Sequence, residues 1–135
     1  MAYRILEHTA DVRLLVEGRT LAELFHVALG GMMEVLRPER TPGGAETERK
    51  VAVEAAGRTA LLVDFLNEAL WLAHTHREAF IAAEICAISE MRVEATLRGA
   101  PCQAFGEDIK AVTYHEAEIR ENAAGNLETM LVFDI

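Results

Sequence analysis

The sequence has little cysteine, little positive charge and no long apolar run, and each shortage excludes a class of protein. Its 135 residues include two cysteines, Cys86 and Cys102, which lie too far apart for the spacing of a metal-binding pair. We expect Cys86 to be a buried small hydrophobic residue and Cys102 to lie in a loop, in a reduced, cytoplasmic protein. No run approaches the roughly 18 apolar residues of a transmembrane helix. Residues 1–7 also lack the apolar segment of a secretory signal, so neither a membrane span nor a signal peptide is predicted.

Basic residues are outnumbered, with 13 Lys and Arg against 22 Asp and Glu, which gives a net charge of −9. Proteins bind phosphate backbones through Lys and Arg side chains that release condensed counterions. Direct binding of nucleic acid is therefore not predicted. A strongly acidic surface suits a cation or a basic protein partner.

The first helix is predicted from a capping box and the periodic apolar residues that follow it. Thr20 can bond a backbone N–H three residues on, and Glu23 can reach back to the cap. Apolar residues then recur at helical spacing, which predicts a helix over residues 20–36. Gly30 and Gly31 lie within this helix and indicate either a kink or a close approach to a sheet.

A second apolar stripe predicts a helix over residues 61–75, capped by Thr59. Trp71 lies at the edge of the stripe, and we expect it to join the core, with contact to a partner protein as the alternative. His74 and His76 follow near the helix end. Side chains two residues apart on a helix diverge, so the two imidazoles are not predicted to share a metal ion.

β-rich segments bounded by turn residues predict the strands. They span residues 3–6, 12–17, 51–55, 80–88, 91–97, 109–119 and 127–135. Residues 37–48 and 99–108 are predicted to be loops because each contains a Gly and Pro cluster. At this length the pattern predicts a single domain over residues 1–135. Its class is α+β, with two long helices packed on one mixed, largely antiparallel sheet.

Acidic groups near the two ends of the chain are the candidates for a functional site. The stretch HTADV at residues 8–12 places Asp11 at the entrance of a strand. Asp134 precedes the last residue, Ile135, so a side chain and a terminal carboxylate lie side by side. If the fold joins these three groups, they suit a hard divalent cation such as Ca²⁺ or Mg²⁺. The alternative is that the stretch is only a turn, which Asp and Thr favour.

The last two predicted strands also bring a lysine toward this acidic end. A hairpin that turns near Ala124 returns Ile135 toward residues 109–111, and pairing then places Lys110 near Asp134. Lys110 is either a solvated strand lysine or a cation that pairs with the carboxylates or with a nucleotide phosphate.

Four segments together resemble the archease family, in order and over nearly the whole chain. They are HTADV at residues 8–12, LVDFLNE at 62–68, IKAVTYH at 109–115 and VFDI at 132–135. The resemblance implies an α+β fold with two helices against a mixed sheet. It assigns a metal site to Asp11, Asp134 and Ile135 and a functional role to Lys110. The loop at residues 99–108 is expected to be shorter than in relatives.

The same resemblance implies an accessory protein rather than an enzyme. Its partner would be the RtcB-type RNA ligase of tRNA splicing, which uses GTP, and it would promote guanylylation and repeated turnover of that ligase. The implied cofactor is a divalent metal, foremost Ca²⁺, with Mg²⁺ or Mn²⁺ as alternatives. Two other functions stay open: a chaperone-like modulator of a tRNA methyltransferase, and a metal-dependent hydrolase that uses Asp11 and Asp134. The hydrolase lacks an obvious nucleophile or general base.

Overall fold

In the computed structural model, which describes residues 2–7 and 11–135, the chain forms nine strands and two helices. In chain order these are β1 (Ala2–Glu7), β2 (Asp11–Gly18), α1 (Leu21–Leu36), β3 (Pro38–Arg40), β4 (Thr47–Glu54), α2 (Arg58–His76), β5 (Glu78–Ile88), β6 (Arg92–Phe105), β7 (Ala111–Thr113), β8 (Arg120–Glu121) and β9 (Leu127–Asp134). The α+β class and both long helices are confirmed. Within the described part of the chain, neither helix is long and apolar enough to cross a membrane.

Helix α1 begins where the capping box predicts. The Thr20 hydroxyl accepts the backbone N–H of Glu23 at 3.1 Å, which satisfies one of the free donors of the first turn. The helix continues through both glycines to Leu36. A Cβ added at Gly31 would lie 2.7 Å from a methyl carbon of Leu14 on β2, whereas Gly30 faces open space. The glycine pair therefore includes one position of close approach to the sheet.

Helix α2 begins earlier than predicted, and Thr59 does not cap it. Gly57 is the N-cap, without a side-chain hydrogen bond, and the helix starts at Arg58. The Thr59 hydroxyl instead accepts the N–H of Ile119 at 3.0 Å. The cap prediction is wrong because the Thr59 hydroxyl bonds a distant segment of the chain and not the first turn of its own helix.

The expectation that Trp71 joins the core is also wrong, since 59% of this residue is exposed. Helical geometry places position 71 with Glu68 and Thr75, three and four residues away, and both of these are exposed. The buried face instead carries residues such as Phe65 of α2, whose ring packs 5.3 Å from that of Phe25 in α1.

The strands form two sheets rather than one, and each strand pair of the described chain is antiparallel. In the first sheet the order is β1-β2-β9-β7, and β8 also pairs with β9. In the second sheet β4 and β5 flank β6, and β3 pairs with the end of β6. Helix α1 contacts strands of both sheets, as does α2. The two sheets separate because the N-terminal strands pair with β9 and do not extend the central hairpin.

Two predicted loops are partly strand. β6 continues through Gly99 to Phe105, so the loop expected at residues 99–108 is reduced to its last few residues. The short strand Pro38–Arg40 pairs with the end of β6 and interrupts the loop expected at residues 37–48. Conversely, the β-rich segment at residues 109–119 forms only the three-residue β7. In these places long-range pairing outweighs local turn and strand preferences.

The two cysteines exchange their expected environments. Cys86 is exposed on β5, at a register shift where the strand bulges against β6. The extra residue of a bulge is left out of the ladder, so the alternation that predicts burial fails there. Cys102, expected in a loop, is buried in the extended β6.

Candidate functional site

The two predicted acidic ligands lie opposite each other on adjacent strands. Asp11, the first residue of β2, pairs with Asp134 of β9, and Asp134 in turn pairs with Ala111 of β7. The backbone N–H of Lys110 donates to the carbonyl oxygen of Asp134 at 2.7 Å. The fold therefore brings Asp11, Lys110 and Asp134 to one end of the first sheet. Residues 8–10 of the HTADV stretch lie outside the described residues.

The alternation along β2 places both carboxylates on the face of the sheet that is turned away from the helices. Val12 and Leu14 are buried in the core, so Asp11 points to the opposite side. Directly paired residues share a face, with Cβ atoms about 4.5–5.5 Å apart. Like charges in this position repel, and a bound cation would remove that repulsion.

Asp11 carries an acceptor atom whose hydrogen-bonding capacity is unused. Its side chain is 26% exposed, but its Oδ1 is buried and accepts no hydrogen bond from any described residue. Among the described residues, the nearest cationic atom is the Nε of Arg13, 3.9 Å away, which is beyond hydrogen-bonding distance. A second nitrogen of Arg13 pairs instead with Glu116 at 2.7 Å. A buried oxygen without a donor suits coordination by a hard cation.

Ile135, the third predicted ligand residue, follows Asp134 directly and packs its half-buried side chain against the core. Among the described residues no three His, Cys, Asp or Glu side chains come close enough to hold a metal ion. From the described residues, a metal site here would have two side-chain carboxylates plus main-chain oxygen. The ligand set Asp11, Asp134 and Ile135 stays a prediction.

Strand β7, which follows Lys110, is attached to helix α2 by side chains. The Asn67 amide accepts the N–H of Val112 and donates to its carbonyl oxygen, each at 2.8 Å. The Tyr114 hydroxyl donates to Asp64 one turn earlier on the helix. That hydrogen bond raises the pKa of Tyr114, since it stabilises the protonated phenol.

Sequence reasoning missed Arg13, Glu116 and Asn67. The sequence could have indicated Arg13, because a residue two positions after Asp11 in a strand lies on the same face of the sheet. Glu116 has a positive φ of 64°, and the turn that contains it is closed by the Ala117 N–H donating to the Tyr114 carbonyl at 3.2 Å. The role of Asn67 depends on a contact 45 residues away, and no local pattern encodes it.

The two histidines at the end of α2 contact different aromatic rings. The His74 ring lies 5.0 Å from that of Phe105, and the His76 ring lies 6.5 Å from that of Trp71. The two imidazoles contact different residues, as expected for positions 74 and 76 of one helix.

The fold is that of a known class of two-helix α+β proteins. It is similar to the solution structure of Methanobacterium thermoautotrophicum protein 1598, with a TM-score of 0.71 and 24% identity, covering 98% of each chain. It is also similar to the crystal structure of an archease, described as a possible chaperone, from Thermotoga maritima. That comparison has a TM-score of 0.69 and 23% identity and covers 100% of this chain and 98% of the other.

Sequence comparison then gives the family. Residues 3–135 match the Archease protein family. The chain is 33% identical to the protein archease of Methanosarcina mazei over 141 residues, covering 98% of this chain and 95% of that relative. It is equally similar to the Methanosarcina acetivorans protein archease, at 33% identity over the same length. This chain belongs to the Archease protein family.

Proposed function

We propose that this protein is an accessory factor of an RtcB-type RNA ligase in tRNA splicing. In this proposal it promotes the GTP-dependent guanylylation of the ligase and allows repeated turnover. The observation that carries the proposal is the pairing of Asp11 with Asp134 beside Lys110. Two carboxylates and an exposed ammonium group at one sheet end can interact with a metal ion and with a nucleotide phosphate.

The metal in this proposal is a divalent cation, Ca²⁺ foremost, with Mg²⁺ or Mn²⁺ as alternatives. Asp11, Asp134 and the terminal carboxylate of Ile135 would hold it. The Oδ1 of Asp11, which is buried and accepts no hydrogen bond from a described residue, supports this assignment. Ca²⁺ takes about six to eight oxygen ligands, so water and backbone carbonyl oxygens must complete its shell. The bound cation would supply positive charge where the ligase binds the phosphates of its nucleotide.

An accessory role fits the charge better than catalysis by this chain itself. The net charge of −9 disfavours RNA binding, which in this proposal falls to the ligase. The alternative of a metal-dependent hydrolase would need a nucleophile or a general base beside the carboxylates. Among the described residues, Arg13 is the charged side chain nearest Asp11, and the backbone N–H of Lys110 bonds Asp134. Arginine is permanently protonated and cannot act as a base.

The metal site is tested by calorimetric titration with Ca²⁺ and with Mn²⁺. We expect Asp11→Ala to lose most of the affinity, because it removes one of two side-chain ligands. Glu46→Ala, which removes an exposed carboxylate in the loop before β4, is the matched control and should bind like wild type. Equal binding by Asp11→Ala and the control would rule the site out.

The role of the lysine is tested with Lys110→Ala, and Lys50→Ala is a natural control because Lys50 is the other lysine of the chain and is also exposed. An exposed charge contributes only about 0–1 kcal/mol to stability as a surface pair. Both variants should therefore melt near wild type. Only Lys110→Ala should fail to stimulate multiple-turnover ligation by an added ligase, and normal stimulation would show Lys110 to be an ordinary surface residue.

A second candidate is a chaperone-like modulator of a tRNA methyltransferase. The description of the Thermotoga maritima relative as a possible chaperone favours it. In that case the metal would be structural. Protection of a methyltransferase from aggregation, unchanged in Lys110→Ala, would favour this function over ligase activation.

A further inference from the structure

β7 is a three-residue strand at the edge of the first sheet, and one side chain occupies the place of its missing neighbour. It pairs with β9 through Ala111, Val112 and Thr113. On the other side, Val112 turns its N–H and its carbonyl oxygen toward α2, where Asn67 binds both at 2.8 Å. An asparagine amide has one acceptor and two donors, so it can bond a strand residue as another strand would. Asn67 thus covers the exposed edge of the sheet.

We propose that Asn67 is a positioning residue that sets the place of Lys110 relative to Asp134. Lys110 lies two residues before Val112, and Ala111 between them pairs with Asp134. The N–H of Lys110 bonds the Asp134 carbonyl at 2.7 Å. This bond directly precedes the three pairs that join β7 to β9, so the place of the lysine depends on β7 remaining paired with β9. This inference rests on the proposed function of Lys110 and the carboxylates.

A strand this short needs an additional attachment. Three ladder pairs give few backbone hydrogen bonds against the entropy of ordering the segment. Val112 as a whole residue is 3% exposed, so its backbone groups are shielded from the water that would otherwise satisfy them. The other attachment to α2, from Tyr114 to Asp64, is made by a residue that is 57% exposed. Asn67 is half-buried and bonds the backbone of β7 itself, so it has the greater effect on the strand.

The matched control is Thr59, which lies on the same helix and makes the same kind of bond. Its hydroxyl accepts the N–H of Ile119, outside β7 and nine residues after Lys110. Thr59→Val keeps the shape of the side chain and removes that acceptor. A variant that only weakens the attachment of α2 should therefore resemble Thr59→Val, whereas loss of positioning should appear only at Asn67.

The experiment compares Asn67→Ala, Asn67→Asp and Thr59→Val in the full chain. The first readout is exchange of the Lys110 amide hydrogen, measured by NMR, because Asn67 does not bond that amide directly. We expect exchange to quicken on the order of tenfold or more in Asn67→Ala, since Val112 loses two partners in a buried setting. Asn67→Asp keeps the acceptor for the Val112 N–H but sets a carboxylate oxygen against the Val112 carbonyl, so it should quicken exchange at least as much as Asn67→Ala. Because it keeps one of the two bonds to Val112, it provides a second measurement if Asn67→Ala fails to fold.

The second readout is calorimetric titration with Ca²⁺, where we expect Asn67→Ala to bind about tenfold more weakly, as for residues that orient ligands. Thr59→Val should change neither readout by more than about twofold, even if its melting temperature falls. Equal behaviour of the Asn67 and Thr59 variants in amide exchange would overturn the inference. If wild type binds no Ca²⁺, the proposed metal site fails, and amide exchange alone still decides whether Asn67 positions Lys110.

Discussion

Trp71 and Leu66 lie five residues apart on α2 but differ in their exposure to solvent. Leu66 is completely buried, whereas Trp71 is 59% exposed and touches the ring of His76. We predict that Leu66→Ala destabilises the protein by about 2–5 kcal/mol, because it leaves a cavity in a close-packed core. Trp71→Ala should change stability by no more than about 0.5 kcal/mol, as for most surface substitutions.

Urea unfolding followed by circular dichroism measures both variants, since Trp71 is the single tryptophan and its removal abolishes the fluorescence signal. A loss of several kcal/mol in Trp71→Ala would contradict the exposed position. If stability is unchanged and ligase activation falls, Trp71 has the partner contact that its exposure permits.

The central strand β6 passes a position where only glycine fits. A Cβ added at Gly99 would lie 2.2 Å from the carbonyl oxygen of Ala79 on β5, a backbone atom that cannot move aside easily. β5 bulges just beyond, between Phe80 and Ala82. A glycine in a strand often marks such a close approach of two backbones. The residue that suggested the end of a strand therefore allows β5 and β6 to remain paired.

We predict opposite effects for alanine at two glycines. Gly99→Ala should destabilise the protein by about 1–3 kcal/mol or more, because it forces the two strands apart. Gly30→Ala should stabilise it by about 0.5–1 kcal/mol, since Gly30 lies inside α1 and faces open space. Thermal unfolding of both variants tests this, and a neutral Gly99→Ala would show that β5 and β6 can separate without cost.

At the scale of the whole molecule, the second and last strands of the chain meet at the candidate site. β2 pairs with β9 along its full length, so Asp11 and Asp134 face each other although 123 residues separate them in sequence. If the terminal carboxylate of Ile135 is a ligand, a C-terminal extension converts it into a neutral amide. The ladder ends at Asp134, so the extension should leave the pairing of β9 intact.

We therefore predict that a C-terminal tag leaves the melting temperature nearly unchanged while Ca²⁺ affinity and ligase activation fall together. An N-terminal tag should have a milder effect, since it adds no group to the predicted ligand set. A matched pair of tagged proteins in one calorimetric titration and one ligation assay provides the measurement. Equal affinity and activation would reduce the site to Asp11 and Asp134.

Features that depend on neighbours within one or two helical turns were predictable from the sequence. Thr20 caps α1 and both helices run over the periodic apolar segments, because propensity, capping and the 3.6-residue repeat act over a few residues. The hairpin that ends in β9 was predictable from its turn residues. The pairing in that hairpin also predicted that Lys110 lies close to Asp134.

Other features depended on which segments pair over long distances. Local sequence does not predict that β2 pairs with β9 or that β6 continues past Gly99. Nor does it predict that Thr59 and Asn67 form hydrogen bonds with segments 45 or more residues away. The split into two sheets and the exposure of Cys86 at a bulge follow from that pairing. The residues by themselves determine the two helices and the acidic character of the protein, because these are local or additive properties. The placement of Asp11 opposite Asp134 required the tertiary structure, because cross-strand pairing alone sets which distant residues share an edge and a face.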